Sequence, residues 1–140
     1  MNHIPNPLMD IQHLNDFVSP GICKYLYDRG LRPRNTTYKW RIVNGDAQLI
    51  TYAFDMDGYY AAAFSNVDFV YPPHYLPAFT ITDMSSIMPD YTIRRSQGLF
   101  TIEVDTPFVV EPCQDRRLPD AMAKMVADLI HSSIISPVDA

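Results

Sequence analysis

Twice in this chain, a glycine-containing turn separates two stretches in which apolar and polar residues alternate. This feature constrains the fold more than any other. Asn44-Gly45 separates an alternating stretch at 38–43 from a second one at 47–54. Asn-Gly in this setting is a strong hairpin signal because both residues tolerate positive φ. A further turn before residues 59–64 predicts a third strand, so this region is expected to form an antiparallel meander.

The dipeptide at 97–98 (Gln-Gly) predicts a second hairpin, and its register follows from the side-chain pattern. A two-residue turn sets Ile93 opposite Ile102 on one face and places Arg94 diagonal to Glu103 on the other. A three-residue turn would mix apolar and charged side chains on each face. The two-residue turn is therefore favoured.

Three segments carry helical signals. The first begins after Ser19 as N-cap and ends before Gly30. The second has Thr80 or Thr82 as its cap and is stopped by Pro89. The third, 119–135, has apolar residues at helical spacing and Asp120, Lys124 and Asp128 on the other side. The predicted helices are 20–29, 81–88 and 119–135. Between these elements, 65–79 is expected to cross the sheet as an ordered loop and 106–117 to be a connector.

The order of these elements predicts an α+β fold. We expect an antiparallel sheet of about five strands, a meander plus a hairpin, packed by an N-terminal short helix and a C-terminal amphipathic helix. A bias of 14 Asp against 2 Glu suits a chain rich in turns. The expected organisation is an extended lead-in at 1–18, a single domain at 19–136 and a tail at 137–140.

Composition narrows the classes of function. A net charge of −5 over 140 residues disfavours a broad surface for nucleic-acid phosphates. Cys23 and Cys113 have no metal-type spacing, and the start of the chain lacks the apolar segment of a secretion signal. No apolar run approaches the roughly 20 residues of a membrane helix. We therefore predict a cytoplasmic protein with reduced thiols, no cofactor and no membrane association.

A set of short motifs resembles a known group of proteins. The motifs are Trp40, then YLPAFT at 75–80, IMP at 87–89 and LPDAMAKM at 118–125. This pattern is similar to small uncharacterised proteins of bacteriophage and integrated mobile elements of gut bacteria. Those proteins show a tryptophan, a YPAPT sequence before a short helix closed by LP, and a terminal DALAKM helix. The resemblance implies such an origin, in the cytoplasm of a bacterial host, but no reaction.

A proline- and aromatic-rich segment is the leading candidate for a binding surface. Phe69, Tyr71, His74 and Tyr75 lie within it, and aromatic side chains are enriched at interface hot spots. The alternative is that these aromatic residues only cover the core. The leading hypothesis is therefore a non-enzymatic accessory protein that binds a host or phage protein. A homodimer through the methionine-rich last helix is another partner class.

Two other classes of function stay open. A nucleic-acid-associated protein would use the densest basic cluster, which surrounds an aromatic residue: Arg32, Arg34, Lys39, Trp40 and Arg41. A solvent-exposed basic face is the alternative reading of that cluster. A small enzyme would need a site assembled by folding from Asp55, Asp57, His74 and Cys23. The turn at Asp55 and Asp57 lacks the further oxygen ligands of a calcium loop, so no metal site is predicted.

Overall fold

The computed structural model describes residues 16–33, 38–50 and 75–137. The helices are α1 (Pro20–Asp28), α2 (Ile81–Ile87) and α3 (Leu118–His131). The strands are β1 (Lys39–Val43), β2 (Asp46–Ile50), β3 (Tyr75–Pro77), β4 (Tyr91–Ser96), β5 (Leu99–Val104) and β6 (Cys113–Asp115). The fold is α+β, as predicted.

The described strands form two antiparallel sheets, not one sheet of about five strands. Their orders are β2-β1-β3 and β4-β5-β6, so each predicted hairpin belongs to a different sheet. The prediction of one sheet is therefore wrong. Turn residues specify which strands are neighbours along the chain, but they do not specify how one hairpin is placed against another.

The first hairpin has the predicted turn. Asn44 and Gly45 have φ of 52° and 83°, and Val43 pairs with Asp46. Both central residues thus adopt the positive φ that a tight two-residue turn needs. The predicted third strand at 59–64 lies outside the described residues.

The second hairpin confirms the predicted register. Ile93 lies opposite Ile102, and the Arg94 guanidinium lies 3.0 Å from the carboxylate of Glu103. Ile102 is fully buried. The polar and apolar faces of this hairpin are therefore those expected from the side-chain pattern.

Replacing Gly98 by valine is expected to lower the free energy of unfolding by about 1–2 kcal/mol, because a β-branched residue is strained at positive φ. Gly98 has a φ of 79° and open space around its Cα, so the cost comes from the backbone alone. Gly21→Val is the matched control, since Gly21 also has open space but lies in α1 without a positive φ. Urea denaturation measures both variants. Equal midpoints for the two variants would contradict the turn assignment.

Two short strands occur where the sequence predicted connections. Within the predicted crossing loop 65–79, β3 pairs with β1, with Leu76 opposite Trp40. Within the predicted connector 106–117, β6 pairs with β5, with Cys113 opposite Ile102. Each of these strands has only three residues, which is too short to show an alternating pattern.

The helices begin within one residue of their predicted starts, but α3 ends early. A capping box starts α2: the Asp83 amide donates to Thr80 Oγ1, and the Thr80 amide donates to the Asp83 carboxylate. In contrast, α3 ends at His131 and not at residue 135. Ser133 has a φ of 59°, and the amide of Ile134 donates to the carbonyl of Leu129 at 2.9 Å. These contacts are those of a Schellman motif, which ends a helix.

The segment before α1 belongs to the core. Phe17 and Val18, which precede the predicted helix, are both buried. The Val18 amide donates to the carbonyl of Phe79 at 2.9 Å, and Trp40 Nε1 donates to the Val18 carbonyl at 3.1 Å. Phe17 also forms a bridge with Thr80. This segment thus joins α1 to both β1 and the start of α2.

The apolar face of α3 supplies the largest share of the core. Its fully buried side chains pack with Leu26 of α1, Met84 of α2 and Ile102 of β5. Asp120 was expected on the polar side of this helix, but it is only 5% exposed. Its partners are the Ser19 amide, the Ser19 hydroxyl and the Arg117 guanidinium, at 2.7, 2.5 and 2.9 Å. Ser19 therefore bonds to α3 and does not cap its own helix with its side chain.

Candidate interaction surface

The basic cluster predicted for nucleic-acid binding does not form one exposed face. Lys39 is 1% exposed and Trp40 is 7% exposed. These adjacent residues point to opposite faces of β1, and β1 is the middle strand of its sheet. Trp40 stacking on a base would require the indole to leave the core. Arg41 is exposed, and Arg34 lies outside the described residues.

Arg32 is held against the end of α1. Its guanidinium stacks over the Tyr27 ring at 4.2 Å and donates to the carbonyls of Tyr27 and Leu31 at 3.2 and 2.9 Å. Cation–π stacking and two carbonyl acceptors give this side chain a structural role. Its guanidinium is thus turned toward α1.

The predicted aromatic surface falls mostly beyond the described part of the chain. Phe69, Tyr71 and His74 lie outside it. Tyr75 is half-buried in β3, opposite Arg41 of β1. Phe79, the last aromatic residue of the segment, is fully buried, as the alternative of a core-covering role expects for that residue. A binding role for the rest of the segment remains a prediction.

Of the four residues in the hypothetical enzyme site, the structure describes only Cys23. Cys23 is fully buried in α1, and its Sγ donates to the Val18 carbonyl at 3.3 Å. Burial raises the pKa of this thiol to about 12, although hydrogen bonds involving Phe79 and Trp40 oppose the shift. The thiolate is the nucleophilic form, so burial disfavours the reactive state of Cys23. Asp55, Asp57 and His74 lie outside the described residues.

The second cysteine is also in a setting that opposes ionisation. Cys113 Sγ donates to the Asp128 carboxylate at 3.2 Å. Burial and then this carboxylate raise the pKa of Cys113 to about 12. Within the described ranges, no group of three or more His, Cys, Asp or Glu side chains could hold a metal ion.

Cys113 is expected to react with iodoacetamide at pH 8 at least tenfold more slowly than free cysteine, since its raised pKa of about 12 leaves little thiolate. Asp128→Asn should speed the reaction, because it removes the carboxylate that disfavours the thiolate. Mass spectrometry of timed samples measures both rates, with free cysteine in the same solution as the reference thiol. An unchanged rate in Asp128→Asn would show that burial alone protects Cys113.

An open cleft of about 380 Å³ lies between α1 and α3. Ile22 and Tyr25 line it on one side, and Lys124, Asp128 and His131 on the other. Lys124 Nζ is already 2.7 Å from Asp115 Oδ2, and Asp128 accepts from the Cys113 thiol. Two of the three polar groups on this wall therefore have partners within the protein.

The contact between Lys124 and Asp115 shifts the pKa of both groups. Partial burial alone would raise the pKa of Asp115, but the hydrogen bonds from Lys124 and from the Arg117 and Arg116 amides outweigh it and lower that pKa. The same contact raises the pKa of Lys124 against a smaller effect of burial. These charges are therefore engaged in joining β6 to α3.

The loop between β5 and β6 exposes large apolar side chains. Phe108 is 59% exposed and Val109 is 99% exposed. Pro107 precedes the apolar residues, and Pro112 follows them after Glu111. The Phe108 amide donates to Thr106 Oγ1 at 3.4 Å. Prolines reduce the conformational freedom of a loop. The segment was predicted only as a connector, although the Phe-Val-Val run directly after Pro107 was an available signal.

The β4 strand lies at an edge of its sheet. Among the described strands its only neighbour is β5, and every residue from 92 to 96 is exposed. A regular edge strand is a template for pairing with another chain. The loop at 106–112 and the β4 edge are therefore two exposed features of the described residues that could contact another chain.

Comparisons with known proteins found no matching family model, no matching curated protein and no matching solved structure. Among the described residues, no helix is long and apolar enough to cross a membrane.

Proposed function

We propose that this chain is a small non-enzymatic accessory protein, of phage or mobile-element origin, that acts by binding another protein. The observation that carries the proposal is the exposure of Phe108 and Val109 on a proline-bounded loop. Most large apolar side chains of the described residues are buried or half-buried, so these two stand out.

The energetics of this loop suit an anchor for binding. Covering an exposed phenylalanine or valine is worth roughly 1.5–3 kcal/mol each. Preorganisation by the two prolines reduces the entropy lost when the loop is fixed on a partner. The aromatic segment with Phe69, Tyr71, His74 and Tyr75 is a second contact region in this proposal.

Retention of a partner from a lysate of the source organism tests the function. The tagged protein is compared with the double variant Phe108→Ser with Val109→Ser, and retained proteins are quantified by mass spectrometry. We expect a stoichiometric partner whose recovery falls at least tenfold in the double variant, because the apolar contact area is lost.

Val43→Ser is the matched control, since Val43 is 39% exposed but lies on the other sheet. It should retain the partner as the unaltered protein does. A photo-crosslinking amino acid at position 108 should give one defined adduct. Recovery that is equal in all three proteins, with no adduct at position 108, would contradict a binding role for the loop.

A further inference from the structure

We propose that β4 accepts an extended segment of the partner as an additional antiparallel strand, and that this segment carries acidic side chains opposite Arg94 and Arg95. This inference rests on the proposed function, because it names the chemistry of the partner. It concerns a surface separate from the side chains of Phe108 and Val109.

The hydrogen-bond pattern shows which backbone groups of β4 face outward. In an antiparallel pair, residues alternate between those bonded to the neighbouring strand and those turned away. The Asp105 amide donates to the Asp90 carbonyl at 2.7 Å, so the bonded positions are the even-numbered ones. The amides and carbonyls of Tyr91, Ile93 and Arg95 therefore point away from β5.

The edge is regular over its whole length. Six consecutive residues of β4 pair with β5 without a bulge. The strand contains no proline or glycine, and residues 92–96 are exposed. Natural proteins often protect long edges with prolines or bulges, and β4 uses neither device. Its outward backbone groups can thus accept an added strand, as in β-augmentation.

The positive charges on β4 favour a partner segment with acidic side chains. Arg94 and Arg95 lie on opposite faces of the strand, and the Arg94 side chain remains 63% exposed while it pairs with Glu103. The Arg95 guanidinium lies over the Phe100 ring, 5.4 Å from its centroid. Carboxylates on an added strand would meet a guanidinium on either face, and opposite charges across strands are favourable.

A second copy of this chain fits the edge less well. The outward backbone groups of two β4 strands face each other only in antiparallel registers that pair odd-numbered residues with odd-numbered ones, and the two with the most overlap centre on Ile93 or on Arg94. Arg94 of one strand then lies diagonal to, or directly opposite, Arg94 of the other. Like charges at such positions oppose pairing. The geometry therefore favours a partner segment with two adjacent acidic residues followed by an apolar residue opposite Ile93.

A labelled peptide with two glutamates followed by valine, threonine and valine is the probe, measured by fluorescence anisotropy. We expect saturable binding that weakens as salt increases and that is at least tenfold tighter than binding of a scrambled peptide. NMR amide shifts should be concentrated at Tyr91, Ile93 and Arg95.

Protein variants separate strand addition from simple charge attraction. Ile93→Pro removes an outward amide without removing a bond to β5, and should weaken binding at least tenfold, whereas Ile93→Val should bind normally. The double variant Arg94→Glu with Arg95→Glu should lose the acidic peptide and bind the version with lysines in place of glutamates.

Peptide variants keep the test valid even where a protein variant fails to fold. N-methylation of the first valine, whose amide would face β4, should abolish binding, and N-methylation of the second glutamate should not. The proposal is overturned if both methylated peptides bind equally, if the scrambled peptide binds as well, or if sedimentation shows dimers that Ile93→Pro dissociates. Failure of the peptide test would overturn strand addition only, because the retention experiment tests the proposed function separately, through Phe108 and Val109.

Discussion

Replacing Asp120 by alanine is expected to lower the free energy of unfolding by about 2–3 kcal/mol, because it removes a nearly buried carboxylate with several charge-assisted hydrogen bonds. Asp120 accepts from the amide and the hydroxyl of Ser19 and from the Arg117 guanidinium. The same guanidinium donates to the Phe17 carbonyl at 2.7 Å. The carboxylate thus connects the segment before α1 to the first turn of α3.

Asp28→Ala is the matched control for this substitution. Asp28 also forms one ion pair, with Lys24 at 2.8 Å, but the two side chains are 64% and 54% exposed. Solvent screens such pairs, so the expected change is below about 0.5 kcal/mol. Urea denaturation followed by circular dichroism measures both variants. A loss no larger for Asp120→Ala than for Asp28→Ala would show that the buried network makes no net contribution.

Combining Asp120→Ala with Ser19→Ala tests whether the two side chains act together. Each single substitution removes the Ser19 Oγ–Asp120 Oδ2 hydrogen bond of 2.5 Å, so the double variant should lose less stability than the sum of the singles. Additive losses would indicate that Ser19 acts only as the residue preceding α1.

Features determined by neighbouring residues were predictable from the sequence. The positive φ of Gly45 and Gly98 and the Thr80–Asp83 capping box each depend on a few consecutive positions. The register of β4 against β5 follows from the same local pattern, which is why Ile93 and Ile102 are paired as expected.

Features determined by distant residues were not predictable. Ser19 is a residue type that favours N-caps and lies directly before α1. However, its amide and its hydroxyl both donate to the carboxylate of Asp120, 101 residues away. Lys39 and Trp40 look like part of a basic exposed face, yet both side chains are buried, on opposite faces of β1. Such outcomes depend on how sheets and helices pack, which a local pattern does not encode.

The exposed loop was missed for a different reason. A run of apolar residues between prolines is equally consistent with a buried connection, and only the exposure of Phe108 and Val109 distinguishes the two. The β4 edge could not be inferred either, because strand order within a sheet is a tertiary property.

Phe79→Ala is expected to lower the free energy of unfolding by about 3–5 kcal/mol, the usual cost of truncating a buried phenylalanine. Phe79 is fully buried beside β3, and its carbonyl accepts the Val18 amide. The cavity would lie where the segment before α1 meets the sheet. A loss below about 1 kcal/mol would mean that the surrounding side chains close the space.

Phe108→Ala makes the same chemical change at a side chain that is 59% exposed. Its expected effect on stability is within about 0.5 kcal/mol, because little apolar surface is buried there in the free protein. Its expected effect on partner retention is large, because that surface is the proposed anchor. Phe79→Ala, measured below its unfolding transition, should retain the partner. Stability and binding would then depend on two different phenylalanines, whereas a loss of stability in Phe108→Ala equal to that in Phe79→Ala would assign Phe108 to the core.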